Sequence, residues 1–377
     1  MRIGIVCHRC IGGSARVAVS LARELSVRGH DIHVFARTAP FGLTDGDQGV
    51  RLHVLEAGAP RCSALDIDWS VADLEALTAL IAGVELDILH YHYAVPFAAV
   101  AAAIRSRFGR AAPLIVGTLH GTDVSLFGRP RATNAGLRRA LAAADALTAV
   151  SHHQASLARR LFELDRTPIV VHNFIDLERF APRRGRPEPT RRIVHVSNLR
   201  KIKRPAAMAR IFASVSRRTG AELWLVGDGE GGGVVEAILA GAGVSDRMLR
   251  FGPRLDLDAI LPDADVLLVT SETESFCLAA LEAAACGVPA VAPRVGGLPE
   301  VVRDGVTGLL YPPGDDRAAE RALMALTVDR ALHARLGAAA RERATEFAVN
   351  RVVPRYEALY AGLLGEASLP RRSVAIS

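Results

Sequence analysis

The sequence lacks most of the features that mark a secreted or membrane-spanning protein. It has only five cysteines in 377 residues, and an odd number argues against a disulfide framework. The N-terminus shows no basic-then-apolar layout of a signal peptide, and the longest Ala-rich apolar run, Ala94 to Ile104, is too short to cross a bilayer. We therefore expect a cytoplasmic protein without stable membrane insertion.

A strong excess of one charge is also missing. The chain has 46 Lys and Arg against 40 Asp and Glu, and the surplus is dispersed, so nucleic acid is not an expected partner. Most of the basic residues are Arg, which suits ligands that carry phosphate. With half of its 377 residues hydrophobic, the chain is long enough for two domains, each with its own core.

The order of apolar segments indicates an α/β protein. Ile- and Val-rich runs alternate with helical spacing, which is typical of a parallel sheet wound on both faces. In the N-terminal half, strands are predicted at Arg2 to Cys7, Asp31 to Phe35, Ile88 to His90, Leu114 to Thr118, Ala146 to Val150 and Ile169 to His172. In the C-terminal half, they are predicted at Ile193 to Val196, Glu222 to Val226, Met248 to Phe251, Val266 to Thr270 and Pro289 to Ala292.

These segments predict a domain of residues 1–176, a Pro- and Arg-rich linker of residues 177–192 and a second domain of residues 193–347. A helix over residues 348–366 should pack back on the first domain, and residues 367–377 should be disordered. Ligands of doubly wound sheets bind at the carboxyl ends of strands. We therefore expect the two domains to face each other across a cleft that holds the active site.

The stretch from Ser271 to Ala292 predicts a short helix with a ligand at its start. Ser275 is a suitable N-cap and Gly287 a suitable C′ residue. The first-turn amides, together with the helix dipole, could bind a phosphate; they belong to Phe276, Cys277 and Leu278. Glu274 precedes this turn and Glu282 lies about two turns into the helix. The alternative is a capped amphipathic helix with solvated acids.

Near the N-terminus, Gly12-Gly13 lacks the spacing of a dinucleotide fingerprint but could admit a ligand's phosphate at the mouth of a helix. A turn-only role stays open. Cys7 and Cys10 have redox or metal-ligand spacing, yet no second Cys pair follows at a zinc-site distance. Packing at a strand end is the favoured interpretation, and no metal site is predicted.

The collinear order of these motifs resembles the retaining GT-B glycosyltransferases of family four over nearly the whole chain, and within that family the N-acetylglucosaminyl malate synthases of bacillithiol biosynthesis. The matching segments are Gly12 to Ser14, His90 to Pro96, Thr118 to Asp123, Thr148 to Ser151, His172 to Asp176, Ser197 to Arg204, Val226 to Gly229, the Glu274 to Glu282 helix, Gly296 to Val302 and Asp304 to Leu310.

The resemblance implies transfer from a UDP- or GDP-linked sugar to a small soluble acceptor, with no cofactor and no metal in the chemical step. It implies His120, Lys203 and Glu274 as catalytic residues. Its donor-binding residues would be Gly13, Asn198, Arg200, Lys203, Glu274, Phe276, Cys277, Leu278 and Glu282. Its acceptor-binding residues would be Ser14, Tyr93, Thr118 and His120. Both monomer and homodimer stay open.

Within these roles Lys203 neutralises the leaving diphosphate, and Arg200 supplies a charge that the family usually places where Asn198 stands. Glu274 holds sugar hydroxyls and Glu282 the ribose. Cys277 replaces the family's usual Gly, which makes a different sugar plausible.

The acceptor is less well specified. The loop from Pro40 to Asp47 lacks the cations of the malate-using relatives, with Arg37 as a partial substitute. The acceptor could be a malate-like acid or a zwitterionic thiol, such as ergothioneine in lincosamide-type antibiotic biosynthesis. Asp45 and Asp47 fit a cationic acceptor better than a dicarboxylate, unless they are merely solvated. Two further classes stay open: a metal-dependent transferase using Asp45-Gly46-Asp47 or Asp66-Ile67-Asp68, and a non-catalytic nucleotide-sugar binding module.

Overall fold

In the computed structural model, the described residues are 1–9, 12–40, 42–56, 69–129, 131–183 and 191–368. They form two compact units, Met1–His172 with Asn350–Ser377, and Asn173–Val349. Cys10, Phe41, the acidic triplet at 66–68 and the tail from residue 369 lie outside the described residues, and so do the predictions made for them.

The first unit contains a seven-stranded parallel sheet in the order β3-β2-β1-β4-β5-β6-β7. Its strands are β1 Arg2–Val6, β2 Asp31–Ala36, β3 Arg51–Val54, β4 Ile88–His92, β5 Leu114–Leu119, β6 Ala146–Ala149 and β7 Ile169–Val170. Its helices are α1 Gly13–Val27, α2 Val71–Ala82, α3 Ala94–Phe108, α4 Thr122–Ser125, α5 Arg131–Leu141 and α6 His152–Leu161.

The second unit contains a six-stranded parallel sheet in the order β10-β9-β8-β11-β12-β13. Its strands are β8 Arg192–Val196, β9 Glu222–Val226, β10 Met248–Gly252, β11 Val266–Leu268, β12 Ala290–Pro293 and β13 Gly308–Tyr311. Its helices are α7 Pro205–Thr219, α8 Gly232–Gly241, α9 Leu257–Ile260, α10 Leu278–Ala285, α11 Leu298–Val301, α12 Asp316–Val328 and α13 Arg330–Ala344.

Both sheets reverse their winding direction at one point, between β1 and β4 in the first unit and between β8 and β11 in the second. At such a point the loops that leave the two adjacent strands run to opposite faces and open a crevice, which is where doubly wound sheets bind ligands. The loops after β1, β4, β8 and β11 carry most of the predicted site residues. The topology therefore supports a binding site at the carboxyl edge of each sheet.

The boundary between the units differs from the sequence prediction. The first unit ends at His172 rather than 176, and residues 177–183 belong to the second unit instead of forming a linker. There the Arg341 guanidinium donates to the carbonyls of Leu177 and Phe180 at 3.1 and 2.6 Å. A Pro- and Arg-rich composition predicted a linker, but these contacts fix its first part against α13. The rest, residues 184–190, lies outside the described residues.

The C-terminal helix α14, Val349–Ser368, returns to the first unit from Asn350 onward and continues beyond the predicted residue 366. Tyr356 and Tyr360 on this helix are fully buried, and the Tyr360 hydroxyl lies 2.7 Å from His90 Nδ1. The helix therefore completes the polar interior of the first unit. None of the helices in the described part of the chain has the length and apolar character needed to cross a membrane.

Candidate active site

In the first unit, the loop after β1 leads directly into the N-terminus of α1. Gly12 is the N-cap and has extended backbone angles, and no side chain caps the helix. Gly13 is exposed and Ser14 is half-buried, so the first-turn amides of this 15-residue helix face outward at the carboxyl edge of the sheet. The structure thus places Gly13 and Ser14 where an anionic group could bind.

The loops after β4 and β5 bring Tyr93 and His120 together around a buried carboxylate. Asp123 is fully buried and accepts hydrogen bonds from the backbone amides of Ala94 at 3.0 Å, Gly121 at 2.6 Å and His120 at 3.1 Å. Burial raises the pKa of Asp123, while these amides oppose the shift. Because one carboxylate ties both loops, the backbone at His120 and next to Tyr93 is held in a fixed relation.

Tyr93 has a left-handed backbone, with φ of 85°, and is 6% exposed. Its amide donates to the Thr118 carbonyl at 2.9 Å, and its hydroxyl lies 2.5 Å from Thr122 Oγ1. A non-glycine residue held at positive φ by such contacts often marks a functional site. The structure therefore keeps Tyr93 beside the His120 loop, and its predicted contact with the acceptor stays a prediction.

Thr118 does not fit the predicted role of an acceptor contact. Its side chain is fully buried in β5, and its hydroxyl lies 2.6 Å from His90 Nε2 and 2.7 Å from Thr148 Oγ1. The motif matched the segment correctly, but the alternation of a strand turns this side chain into the interior. Thr118 therefore forms hydrogen bonds within the interior of the first unit and is not placed to contact a ligand.

In the second unit, Lys203 and Glu274 form an ion pair. Lys203 Nζ lies 2.5 Å from Glu274 Oε1, and the two side chains are 21% and 11% exposed. Burial lowers the pKa of Lys203, but the Glu274 carboxylate outweighs it, and the pKa lies above its ordinary value. The Ser271 hydroxyl also donates to Glu274 Oε1, at 2.7 Å. A cation and a polar anion therefore lie side by side in the loops after β8 and β11.

Asn198 and Arg200 lie on the same loop as Lys203. Each is half-buried, and Asn198 Oδ1 and Arg200 Nε are buried atoms without a hydrogen-bond partner among the described residues. Arg200 is also close enough to oppose the charge of Lys203. Buried polar atoms in native proteins are nearly always satisfied, so these two atoms are left for ordered water or for a bound polar group.

Helix α10 begins later than the sequence predicts, and Ser275 is not its N-cap. Cys277 is the N-cap, with φ and ψ both 78°, and the helix starts at Leu278. Among the described residues, the amides of Leu278 and Ala279 in its first turn have no acceptor. The amides available for an anion are thus shifted from the predicted Phe276, Cys277 and Leu278.

Helix α10 begins later than predicted because of a tertiary contact at Glu274. The Gly297 amide donates to the Glu274 carbonyl at 2.9 Å, and a Cβ at Gly296 would lie 1.8 Å from that oxygen. Only glycine permits this approach of the Gly296 backbone, which has φ of 55°. The glycine pair therefore fixes the backbone that carries Glu274, and the helix can begin only after it.

The other end of α10 agrees with the prediction. Gly287 has φ of 73°, its amide donates to Ala284 at 2.9 Å, and the Val288 amide donates to Ala283 at 2.9 Å. These two bonds make a Schellman motif. Glu282 lies inside the helix and is 2% exposed, so it is not the solvated acid of the alternative interpretation. Together with Asp258, Glu282 raises the pKa of the Arg179 guanidinium.

Comparison with known proteins identifies the class. The model of glycosyltransferase family 4 matches residues 11–179, and that of glycosyl transferases group 1 matches residues 177–343. The N-acetyl-alpha-D-glucosaminyl L-malate synthase of Bacillus anthracis is 34% identical over 97% of both chains. The chain belongs to glycosyltransferase family 4. A D-inositol 3-phosphate glycosyltransferase of Geodermatophilus obscurus is 31% identical over 96% of this chain and 88% of that protein.

Solved structures show that this family 4 chain has the GT-B fold. Sucrose-phosphate synthase from Thermosynechococcus elongatus superimposes with a TM-score of 0.84 over 97% of this chain and all of that one, at 22% identity. HepE of Anabaena, solved in complex with UDP and glucose, superimposes with a TM-score of 0.80 over 98% of this chain and all of that one, at 19% identity. The predicted α/β class and GT-B fold are confirmed.

Three supporting residues of this glycosyltransferase were missed in the sequence. Ser271 binds Glu274; His195 Nδ1 donates to the Leu268 carbonyl at 2.8 Å and its Nε2 lies 2.8 Å from Ser197 Oγ; and His92 lies 3.0 Å from His120. Burial lowers the pKa of His195 to about 4. His92 ends β4, His195 lies one residue before the end of β8, and Ser271 follows β11, so nearness to the carboxyl end of a strand is the signal that could have found them.

Proposed function

We propose that this family 4 enzyme transfers a sugar from a nucleotide-diphosphate sugar to a small polar acceptor, with retention of the anomeric configuration and without a metal or other cofactor. The observation that carries the proposal is the Lys203–Glu274 pair, 2.5 Å apart at the winding reversal of the second sheet. At this position the Lys203 ammonium would bind the phosphate and the Glu274 carboxylate would bind sugar hydroxyls. The two groups lie next to each other, as the sugar and the phosphate do in a nucleotide-diphosphate sugar.

The diphosphate would bind to the cationic side of this pair. Lys203 and Arg200 supply charge, Asn198 supplies a buried amide, and the free amides at Leu278 and Ala279 supply helix N–H donors. Glu282 would accept hydrogen bonds from the ribose hydroxyls, as its near-complete burial suits a specific partner more than bulk water. Because HepE of Anabaena was solved with UDP and glucose, UDP-sugars are the first donors to test.

The proposed step breaks the bond between the anomeric carbon and the phosphate oxygen while the acceptor's oxygen or sulfur bonds to that carbon from the same face. The proton of the acceptor passes to the leaving phosphate oxygen, and Lys203 and Arg200 stabilise the charge that develops on the phosphate. Glu274 orients the sugar through its hydroxyls. No side chain need form a covalent bond with the sugar.

For the acceptor, the two acids that favoured a cationic or zwitterionic thiol both have partners within the fold, which weakens that hypothesis. Asp45 accepts from the Leu52 amide at 2.9 Å, and Asp47 is paired with Arg23, so both acids are used within the fold. Arg37, the partial substitute for the cations that the loop lacks, is 12% exposed and paired with Asp73, which by itself counts against a dicarboxylate acceptor. We propose a malate-like hydroxy acid as the first acceptor, supported by the 34% identity to the malate synthase over 97% of the chain. An S-glycosyltransferase acting on ergothioneine is retained only as an arm of the test.

The test is a matrix of nucleotide sugars against small acceptors, read by mass spectrometry, with the anomeric configuration of each product determined by NMR. We expect an α-linked product from an α-linked donor, formed equally well in the presence of a chelator. An inverted product or loss of turnover in chelator would contradict the mechanism. Nucleotide-sugar binding without turnover on any acceptor would instead favour a non-catalytic binding module. A thiol turned over faster than L-malate would restore the thioglycoside hypothesis.

A further inference from the structure

Two histidines from neighbouring strands share a hydrogen bond in the first unit. His92 is the last residue of β4, and His120 follows β5 directly. His92 Nδ1 lies 3.0 Å from His120 Nε2, and the two residues are 0% and 8% exposed. Since one of these nitrogens must donate and the other accept, the tautomers of the two rings are linked.

The remaining nitrogen of His92 decides which ring donates. His92 Nε2 is buried and has no hydrogen-bond partner among the described residues. The neighbouring His90 cannot serve, because its Nδ1 is bonded to the Tyr360 hydroxyl at 2.7 Å and its Nε2 to Thr118 at 2.6 Å. A proton on His92 Nε2 would be an orphaned buried N–H, which proteins rarely contain. The proton of His92 therefore belongs on Nδ1, and His92 is the donor.

We propose that His92 is a positioning residue that holds His120 in the tautomer with its proton on Nδ1, so that His120 presents an N–H donor to the bound ligands. The identity of those ligands rests on the proposed function, whereas the tautomer of His120 is inferred independently of it. Asp123 holds the His120 amide at 3.1 Å, so the backbone from which the His120 ring extends toward His92 is fixed independently of the ring.

A neutral donor at this position has a defined chemical use. His120 Nδ1–H would bond to an oxygen of the donor sugar or of the acceptor, and it would not take the acceptor's proton. That proton is left to the departing phosphate, in agreement with the proposed step. Burial, together with His92 and His8, holds the pKa of His120 well below its usual range, which keeps the ring neutral at neutral pH.

The direct test is the ¹⁵N spectrum of histidine-labelled protein without ligand. Protonated and unprotonated ring nitrogens resonate at different frequencies, and the His120 signals are assigned by their loss in His120→Asn. We expect the proton of His120 on Nδ1. A proton on Nε2 would overturn the proposal, whatever the enzyme proves to transfer.

Variants of His92 distinguish a role in positioning His120 from a merely structural role. His92→Phe keeps a ring of similar shape but removes the donor; we expect the His120 proton to leave Nδ1 at least in part and kcat to fall about 10-fold or more. The matched control is His33→Phe, which breaks another buried histidine pair, His33 Nδ1 to His53 Nε2 at 2.8 Å, in β2. His33→Phe should leave both the His120 tautomer and kcat unchanged. A fall in kcat for His92→Phe with the His120 tautomer unaltered would show a merely structural role and reject the proposal.

Discussion

The Lys203–Glu274 pair gives the sharpest test of the proposed chemistry. Lys203→Ala removes a cation that is proposed to stabilise the leaving phosphate. We expect loss of such a group to lower kcat by at least about 100-fold, or about 2.7 kcal/mol of transition-state free energy. The matched control is Lys201→Ala, because Lys201 lies in the same short 3₁₀ turn and is exposed. We expect Lys201→Ala to retain turnover within about two-fold, since an exposed charge is screened by solvent.

The variant should remain folded at assay temperature. Without Lys203, the Glu274 carboxylate keeps its bond from the Ser271 hydroxyl and is 11% exposed, so we expect a cost of about 1–3 kcal/mol. For a unit of this size, each kcal/mol lowers Tm by about 2–4 °C. Calorimetry therefore shows whether a loss of kcat has any folding component.

A double variant separates two roles that Lys203 could have. If Lys203 served only to hold Glu274 in place, then Lys203→Ala combined with Glu274→Gln would be no slower than Glu274→Gln alone. If it stabilises the leaving phosphate, the double variant should be slower by a further factor of about 10 or more. Turnover of Lys203→Ala within a few-fold of wild type, in protein with unchanged unfolding, would refute the phosphate role outright.

Three further predictions concern single residues. Glu282→Gln should weaken binding of the free nucleoside diphosphate about 10-fold, measured by calorimetry, because a buried carboxylate is lost as an acceptor. The control Glu236→Gln, at an exposed position, should have no effect. Equal affinities of the Glu282→Gln variant and the wild type would contradict ribose recognition. Cys277→Gly should raise Tm by relieving about 1 kcal/mol of left-handed strain and should broaden the sugars accepted; a lower Tm would contradict the strain. Burial lowers the pKa of His90 to about 3, below that of the unfolded chain, so its contribution to stability is present above pH 6.5 and lost as pH falls. His90→Gln should therefore reduce the slope of the free energy of unfolding against pH, measured in urea between pH 6.5 and 5, by an amount that approaches about 1.4 kcal/mol per pH unit at pH 5; an unchanged slope would show that His90 is not its source.

The fold was predictable where local patterns and tertiary structure agree. Eleven runs predicted as strands all appear in the two sheets, because each is a continuous apolar segment between helical patterns. The sequence does not predict β3 and β13, Arg51–Val54 and Gly308–Tyr311. Both are four-residue strands at sheet edges. Arg51 and His53 make β3 half polar, as an edge strand permits, whereas β13 is an apolar run too short to be told from a loop or helix segment by its pattern.

Helix ends can likewise be predicted where local sequence sets them and not where a tertiary contact does. Gly287 is recognisable as a C′ residue because its left-handed backbone is a local property that glycine satisfies. The start of α10 is not recognisable from Ser275, because the backbone at Glu274 is fixed by Gly296 and Gly297 from another part of the chain. A local N-cap preference of about 1 kcal/mol cannot outweigh that contact together with burial of a side chain such as Phe276.

For the candidate site, topology explains what residue spacing could not. Lys203 and Glu274 are distant in sequence, yet β8 and β11 are hydrogen-bonded neighbours, and the loops that leave them meet at the carboxyl edge of the sheet. In the first unit, β4 and β5 are likewise neighbours, which brings His92 beside His120. The order of strands alone would therefore predict which loops meet. It would not predict that His92 Nε2 has no partner among the described residues, because that depends on the packing of His90 against Thr118 and the C-terminal helix. Candidate ligand contacts are thus found from motifs and topology, whereas a neighbour proposed to set their protonation is found only from the packed interior.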